Sequence, residues 1–235
     1  QIAGNSDQAV WRLFIEGNAL DLSGWSRLQP VGLPGIDFGF ANVSLWLDYA
    51  PGNLQRATAN IVIADLSLRG GPTGSPFGLQ GRIEYSTELN GFLLAANQFR
   101  LMTVDGDWPQ SSSLLLRVMQ DEEGRLEGLR ASASFLDLDD LKYVTAWIPA
   151  AQQSVLADIQ PSGILRELSI ALTDLQSDMP EFDVAADLQS AGFAASDGRS
   201  GLREFSGSIR ADRDGGRIEI ESTDLQFVTV IQNQL

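Results

Sequence analysis

The chain has 235 residues, enough for one large folded unit or two smaller ones. Its 16 Lys and Arg residues against 31 Asp and Glu residues give a formal net charge of -15. A charge of that sign repels phosphate backbones, which argues against nucleic acid as a partner and against charge-driven docking on anionic membranes. The sequence holds no Cys and no His, which removes thiol nucleophiles, Ser–His triads and the usual zinc sites.

The apolar stretches of the sequence are short. None reaches the roughly 18 residues that a membrane-spanning helix needs, and residues 1–8 lack the basic and apolar regions of a signal peptide. The sequence ends on a strand-like stretch at 225–231, so we expect it to be a fragment of a longer protein.

Alternating apolar and polar residues predict strands through most of the first 136 residues. The predicted strands are 10–22, 38–49, 55–68, 79–84, 91–104, 113–120 and 126–136. The alternation changes phase at Ala41–Asn42 and again at Ala64–Asp65, and each change predicts a β-bulge.

One stretch near the middle of the chain shows a helical pattern. Asp137 occupies the position of an N-cap, and Asp140 adds negative charge to the first turn. The apolar face of this helix recurs at spacings of three and four, at Leu138, Leu141, Val144, Thr145 and Ile148. Pro149 ends or kinks the helix, and residues 155–159 predict a second short helix that stops at 161–163.

Strand patterns resume after the helical pair. The predicted strands are 163–172, 181–189, 205–212 and 216–230, with a hairpin turn at 212–216. About eleven strands at a spacing of about 10 to 15 residues are typical of a large antiparallel sheet. We therefore predict a mainly β fold: an N-terminal β-groove segment over 1–136, a helical insertion over 137–160, and a C-terminal segment over 161–235 that continues the same sheet.

Acidic residues form two candidate chemical sites. Asp105 and Asp107, or Asp137, Asp139 and Asp140, are possible metal ligands or acid–base pairs. Both groups also fit a turn and a helix start, and no supporting partner is visible in the sequence. We therefore predict no catalytic residue, no metal site and no cofactor.

Several strands are apolar on one face and polar on the other. The apolar faces that we select as a candidate binding surface are formed by Leu129, Ala131, Ala133, Phe135, Leu168, Ile170, Leu172, Phe182, Val184, Ile218 and Ile220. Such a face must be buried, yet two short helices supply too little apolar surface to cover about eleven strands. A long, curved sheet that folds over its own apolar face would leave a trough suited to acyl chains.

A series of short motifs points to a family by its order and spacing. These are GFANVSLWL at 39–47 with the strand at 54–68, GFLL at 91–94 with DWP at 107–109, LDLDDL at 136–141 with IP at 148–149, QPSGIL at 160–165, and LREFSG at 202–207 with DRDGGRIEI at 212–220. Together they resemble the AsmA-like periplasmic proteins of Gram-negative bacteria, most closely the YhdP branch, over nearly the whole chain.

The resemblance implies a repeating, taco-like β-groove and an inner-membrane anchor outside this fragment. It also implies a periplasmic role in carrying phospholipid acyl chains between the inner and outer membranes. The resemblance transfers no catalytic residue.

Two other functions stay open from the sequence alone. The apolar face is also compatible with the dry core of a closed β-sandwich that serves as a periplasmic scaffold or interaction module. A hydrolase that relies on carboxylates alone needs two acids about 5 to 10 Å apart in a cleft, which the sequence does not single out. The helical pair has three possible roles: a plug, a gate or a brace for the sheet.

Overall fold

A computed structural model describes residues 10–24, 35–50, 52–69, 76–147, 150–177, 179–195 and 200–228. The strands in chain order are β1 (Trp11–Asp21), β2 (Ile36–Ala50), β3 (Asn53–Leu68), β4 (Phe77–Glu88), β5 (Gly91–Thr103), β6 (Gly106–Asp107), β7 (Ser112–Gln120), β8 (Leu126–Asp137), β9 (Ser162–Thr173), β10 (Glu181–Phe193), β11 (Gly201–Asp212), β12 (Gly215–Ile220) and β13 (Gln226–Val228). The helical elements are α1 (Leu141–Val144), a 3₁₀ turn (Thr145–Trp147) and α2 (Ala150–Ile159).

All of the described strands belong to one open antiparallel sheet. Its order is β1-β2-β3-β4-β5-β7-β8-β9-β10-β11-β12, with β6 paired to β5 and β13 paired to β11. The main contacts between elements join neighbours in this ladder, and within the described residues no second sheet packs on the first. The predicted mainly β fold, with a long antiparallel sheet and a short helical pair, is confirmed.

A line of irregular residues crosses the sheet. One residue other than glycine has a positive φ in each of six strands, at Ala19, Asp65, Gln98, Glu167, Ser190 and Glu204. The ladder shifts register next to these residues, as expected for β-bulges, which bend a strand and increase its twist. The bulge predicted at Ala64–Asp65 is confirmed. At Ala41–Asn42, β2 stays in register with β3, but its ladder with β1 shifts at Asn42. The extra residue lies in β1, next to Ala19, so the predicted bulge is on the neighbouring strand and not in β2.

The structure corrects two predicted element boundaries. Asp137 ends β8 and does not cap a helix, because its Oδ1 accepts the backbone N–H of Asp139 at 3.1 Å and makes a turn. α1 therefore begins at Leu141 and has only four residues; Ile148 lies outside the described residues. The predicted strand over 216–230 is divided, because β12 ends at Ile220 and β13 pairs instead with the start of β11.

The buried core lies at one end of the strands, which we call the closed end. It is formed by Leu22, Ala41, Leu66, Leu68, Phe77, Leu79, Leu101, Trp108, Phe135 and Tyr143. These residues come from β2–β5, β8 and the segments that flank them, including α1. The hydrophobic core therefore fixes one end of the sheet and leaves most of its area as a single layer.

A comparison of substitutions at Gly91 and Gly106 can test how closely β5 approaches β7. Their φ angles are +134° and +137°, so Ala strains the backbone of both by about 1–3 kcal/mol. A Cβ at Gly91 would collide with the carbonyl oxygen of Val118, whereas a Cβ at Gly106 meets nothing within 4 Å. We expect Gly91→Ala to lower the free energy of unfolding in urea by at least about 1 kcal/mol more than Gly106→Ala. Equal losses would show that β5 and β7 are not packed as described.

Candidate functional site

The sheet carries a continuous row of apolar side chains across its width. Directly opposed residues of antiparallel strands point to the same face, so the register identifies the row. It runs from β1 to β12 through Leu13, Leu47, Ala57, Tyr85, Leu94, Leu116, Ala131, Ile170, Val184, Ala211 and Gly216. No member of this row is charged.

A second apolar row runs beside the first. From β1 to β9 it contains Ile15, Leu45, Ala59, Ile83, Ala96, Leu114, Ala133 and Leu168. Beyond a register shift between β9 and β10 it resumes with Ala186, Ile209 and Ile218. We call the surface formed by these two rows the apolar face. Eleven strands about 4.8 Å apart make it about 48 Å wide.

The opposite face of the sheet is mixed and largely polar. The row behind the apolar face holds Phe14, Trp46, Thr58, Glu84, Ala95, Leu115, Ser132, Ser169, Ala185, Arg210 and Arg217. Its apolar members include an aromatic pair, Phe14 and Trp46, with ring centroids 5.1 Å apart. The two faces differ enough for the sheet to be amphipathic.

Much of the apolar face is open to solvent. Leu94 is 37% exposed and Ile218 is 62% exposed, while Tyr85, Leu116 and Ile170 are half-buried. In the part of the chain that the structure describes, all strands belong to one sheet, so no separate second sheet covers this face. Apolar patches of this extent on a protein surface mark sites that bind another molecule.

The candidate residues chosen from the sequence fall on this face, at different depths. Leu129, Ala131 and Ala133 oppose Leu172, Ile170 and Leu168, and Phe182 and Val184 continue the rows on β10. Phe135 and Ala133 are buried at 0% and 5% exposure and belong to the interior, whereas Ile218 and Ile220 are exposed. Sequence reasoning missed the contributions of β1–β5 and β7. Their alternation is visible, but their pairing is not.

The helical segment covers the closed end of the apolar face. Tyr143 of α1 is only 1% exposed, and its ring lies 5.7 Å from that of Phe77. Trp108 packs edge-on against Phe99 and Phe135, with centroids 5.8 and 5.3 Å away. Phe77 and Phe135 extend the alternation of the apolar face to the strand ends, so α1 and Trp108 close it there.

Polar contacts fix this closure. The indole Nε1 of Trp108 donates to Asp140 Oδ2 at 2.8 Å, inside the core. Lys142 Nζ and the Tyr143 hydroxyl both donate to Asp105 Oδ2, at 2.6 and 3.0 Å. These two donors lower the pKa of Asp105, and burial raises the pKa of Asp140.

The acidic candidates gather beside these contacts. Asp105, Asp107, Asp137, Asp139 and Asp140 line a cavity of about 350 Å³ together with Lys142. Each of the four that the structure shows in a contact is an acceptor: Asp105 from Lys142 and Tyr143, Asp137 from the backbone N–H of Asp139, and Asp140 from Trp108. Asp139 Oδ2 accepts the backbone N–H of Gly163 at 3.0 Å. Within the described residues, no group of three or more acidic side chains is arranged to hold a metal ion.

Comparison with known proteins identifies the family. A family model described as YhdP protein matches residues 1–232. The chain belongs to the YhdP protein family. This agrees with the resemblance found in the motifs, and the match extends over both halves of the sheet. No curated protein and no solved structure matches the chain. None of the helices among the described residues is long and apolar enough to cross a membrane.

Asp140 makes the stability of the closed end depend on pH. Because burial raises its pKa, the folded protein binds this proton more tightly than the unfolded protein does. The stability that results is present below the unfolded-state pKa of about 3.9 and is lost as pH rises through the folded-state value. Asp140→Asn removes the titration and keeps an oxygen that can accept from Trp108.

We expect the wild-type free energy of unfolding, minus that of Asp140→Asn, to fall as pH rises through this window and then level off. Urea titrations at a series of pH values measure the difference. The control is Asp158→Asn, which removes an exposed carboxylate of α2. A difference that is flat or rises with pH would contradict the assignment of Asp140 as a buried, destabilised carboxylate.

Proposed function

We propose that this chain is a segment of a periplasmic conduit that shields phospholipid acyl chains between the inner and outer membranes. The observation that carries the proposal is the apolar face, which is continuous over eleven strands and largely uncovered. Membership of the YhdP family supports it. The conduit would reach the two membranes through parts of the protein outside this chain.

The dimensions of the apolar face suit lipids that move across the strands. One acyl chain spans about half of the ~30 Å hydrocarbon core of a bilayer. The face, at about 48 Å, therefore offers room for several acyl chains in succession. Burial of apolar area contributes about 25 cal/mol per Å², so a chain gains from lying on any part of the face and has no single preferred position.

The polar surroundings suit headgroups that remain in water. Acyl chains would contact the apolar face, including the candidate residues on β8–β10 and β12. The opposite face, with charged residues such as Arg117, Arg130 and Asp183, presents a wet exterior. The single-layer sheet also favours a conduit over a closed sandwich, because a sandwich requires a second sheet packed on the apolar face.

Two leucines on neighbouring strands provide a matched test. Leu94 lies on the apolar face and is 37% exposed, and Leu115 lies on the opposite face and is 38% exposed. Leu94→Asp places a charge where acyl chains would lie, and Leu115→Asp makes the same chemical change on the wet exterior. We expect Leu94→Asp to lose most of the lipid that co-purifies with the wild type and Leu115→Asp to retain it.

Native mass spectrometry with lipid extraction, on protein purified from bacteria without harsh detergent, measures the retained lipid. Circular dichroism and urea unfolding check that both variants fold. Equal lipid content in the two variants would reject the apolar face as the binding surface. A wild-type protein free of lipid, under conditions in which known lipid carriers keep theirs, would favour the scaffold function instead.

A further inference from the structure

A second cavity, of about 940 Å³, lies between the helical segment and the ends of β9, β10 and β11. Its apolar lining comes from Leu138, Leu141, Leu156, Ala157, Pro161 and Ala194. Backbone hydrogen bonds from Leu138 N to Gly163 O and from Ala194 N to Ile159 O join the helical segment to the sheet around it. The cavity therefore lies beside the helical segment, next to the closed end of the sheet.

Two cations line this cavity in a chain whose net charge is -15. Lys142 is paired with Asp105. Arg203 is exposed on β11, and among the residues that the structure describes no carboxylate forms a salt bridge with it. Asp139 is the acidic residue of the lining, and one of its oxygens is occupied by Gly163 N. The charged lining residues sum formally to +1, but Asp105, which lies outside the lining, pairs with Lys142, so Arg203 is the lining cation that has no salt bridge among the described residues.

Apolar walls beside an unpaired guanidinium match the two parts of a phospholipid. A guanidinium presents a planar fork of donors that binds phosphate through two parallel hydrogen bonds. The volume of the cavity, about 940 Å³, is within the range of small-molecule sites.

We propose that this cavity binds the phosphate group of a glycerophospholipid, with Arg203 as the residue that contacts the phosphate. The inference rests on the proposed lipid-carrying function and adds a headgroup site at the closed end. A lipid that reaches the helical segment would place its phosphate beside Arg203 while its acyl chains remain on apolar surface. Inorganic phosphate shares this chemistry and is a control ligand.

The test compares two lipids and two variants of the full chain. Phosphatidate and diacylglycerol with identical acyl chains differ only in the phosphate. Arg203→Gln removes the proposed contact, and Arg213→Gln removes the same charge from the exposed β11–β12 turn. We expect Arg203→Gln to weaken phosphatidate binding on the order of tenfold and to leave diacylglycerol binding unchanged. Arg213→Gln should change neither, as measured by native mass spectrometry.

The outcomes separate this inference from the function on which it rests. If the wild type binds both lipids and the two variants behave alike, the phosphate site is wrong and the acyl-binding face stands. An equal loss of both lipids in Arg203→Gln also rejects the phosphate site, because Arg203 would then act on the fold. If the wild type binds neither lipid, the proposed function itself fails. Inorganic phosphate that binds as tightly as phosphatidate, by calorimetry, would assign the cavity to free phosphate.

Discussion

The register of the antiparallel ladder is the constraint on which the rest of the structure depends. A slip of one residue moves a strand's apolar side chains to the other face, so eleven strands must stay in phase to form one apolar face. The bulges absorb the irregularities. Residues such as Asp65, Glu167 and Ser190 adopt positive φ near the closed end. The longer part of each strand, which runs from its bulge away from the closed end, keeps the apolar alternation. The line of bulges thus bends the strands without breaking the face.

Among the described residues, the apolar face of the single-layer sheet is buried by other parts of the chain only at the closed end. Phe135, Tyr143 and Trp108 anchor a real core, and the Trp108–Asp140 hydrogen bond holds the helical segment over it. Away from that core the side chains of the face are only partly buried, so a ligand that covered them would bury further apolar area. A ligand that binds only the folded chain adds stability by mass action. In a lipid conduit of this construction, the cargo would therefore contribute to the stability of the wall that carries it.

Sequence alone was enough to place most strands and the two helices, because alternation and helical spacing are local signals. It was not enough to assemble the apolar face, since pairing depends on contacts far apart in the chain. β1 and β7 show the difficulty: Leu13, Phe14 and Ile15 are all apolar, as are Leu114, Leu115 and Leu116, and only the ladder assigns each to a face. The prediction that Asp137 caps a helix was wrong for a related reason: an Asp side chain suits a turn as well as a helix cap, and the local sequence does not distinguish the two.

If the apolar face carries phospholipids as proposed, their phosphates must be tolerated by an acidic chain. Screening limits each surface charge to about 8 Å in physiological salt, so a headgroup responds to the side chains near it and not to the net charge of -15. Along the apolar face the two rows are uncharged, and headgroups that stay in water meet no strong attraction there. Near the helical segment Arg203 supplies a local positive charge. A wall that holds lipids weakly along its length and more strongly at one end would set both how easily they slide and where they pause.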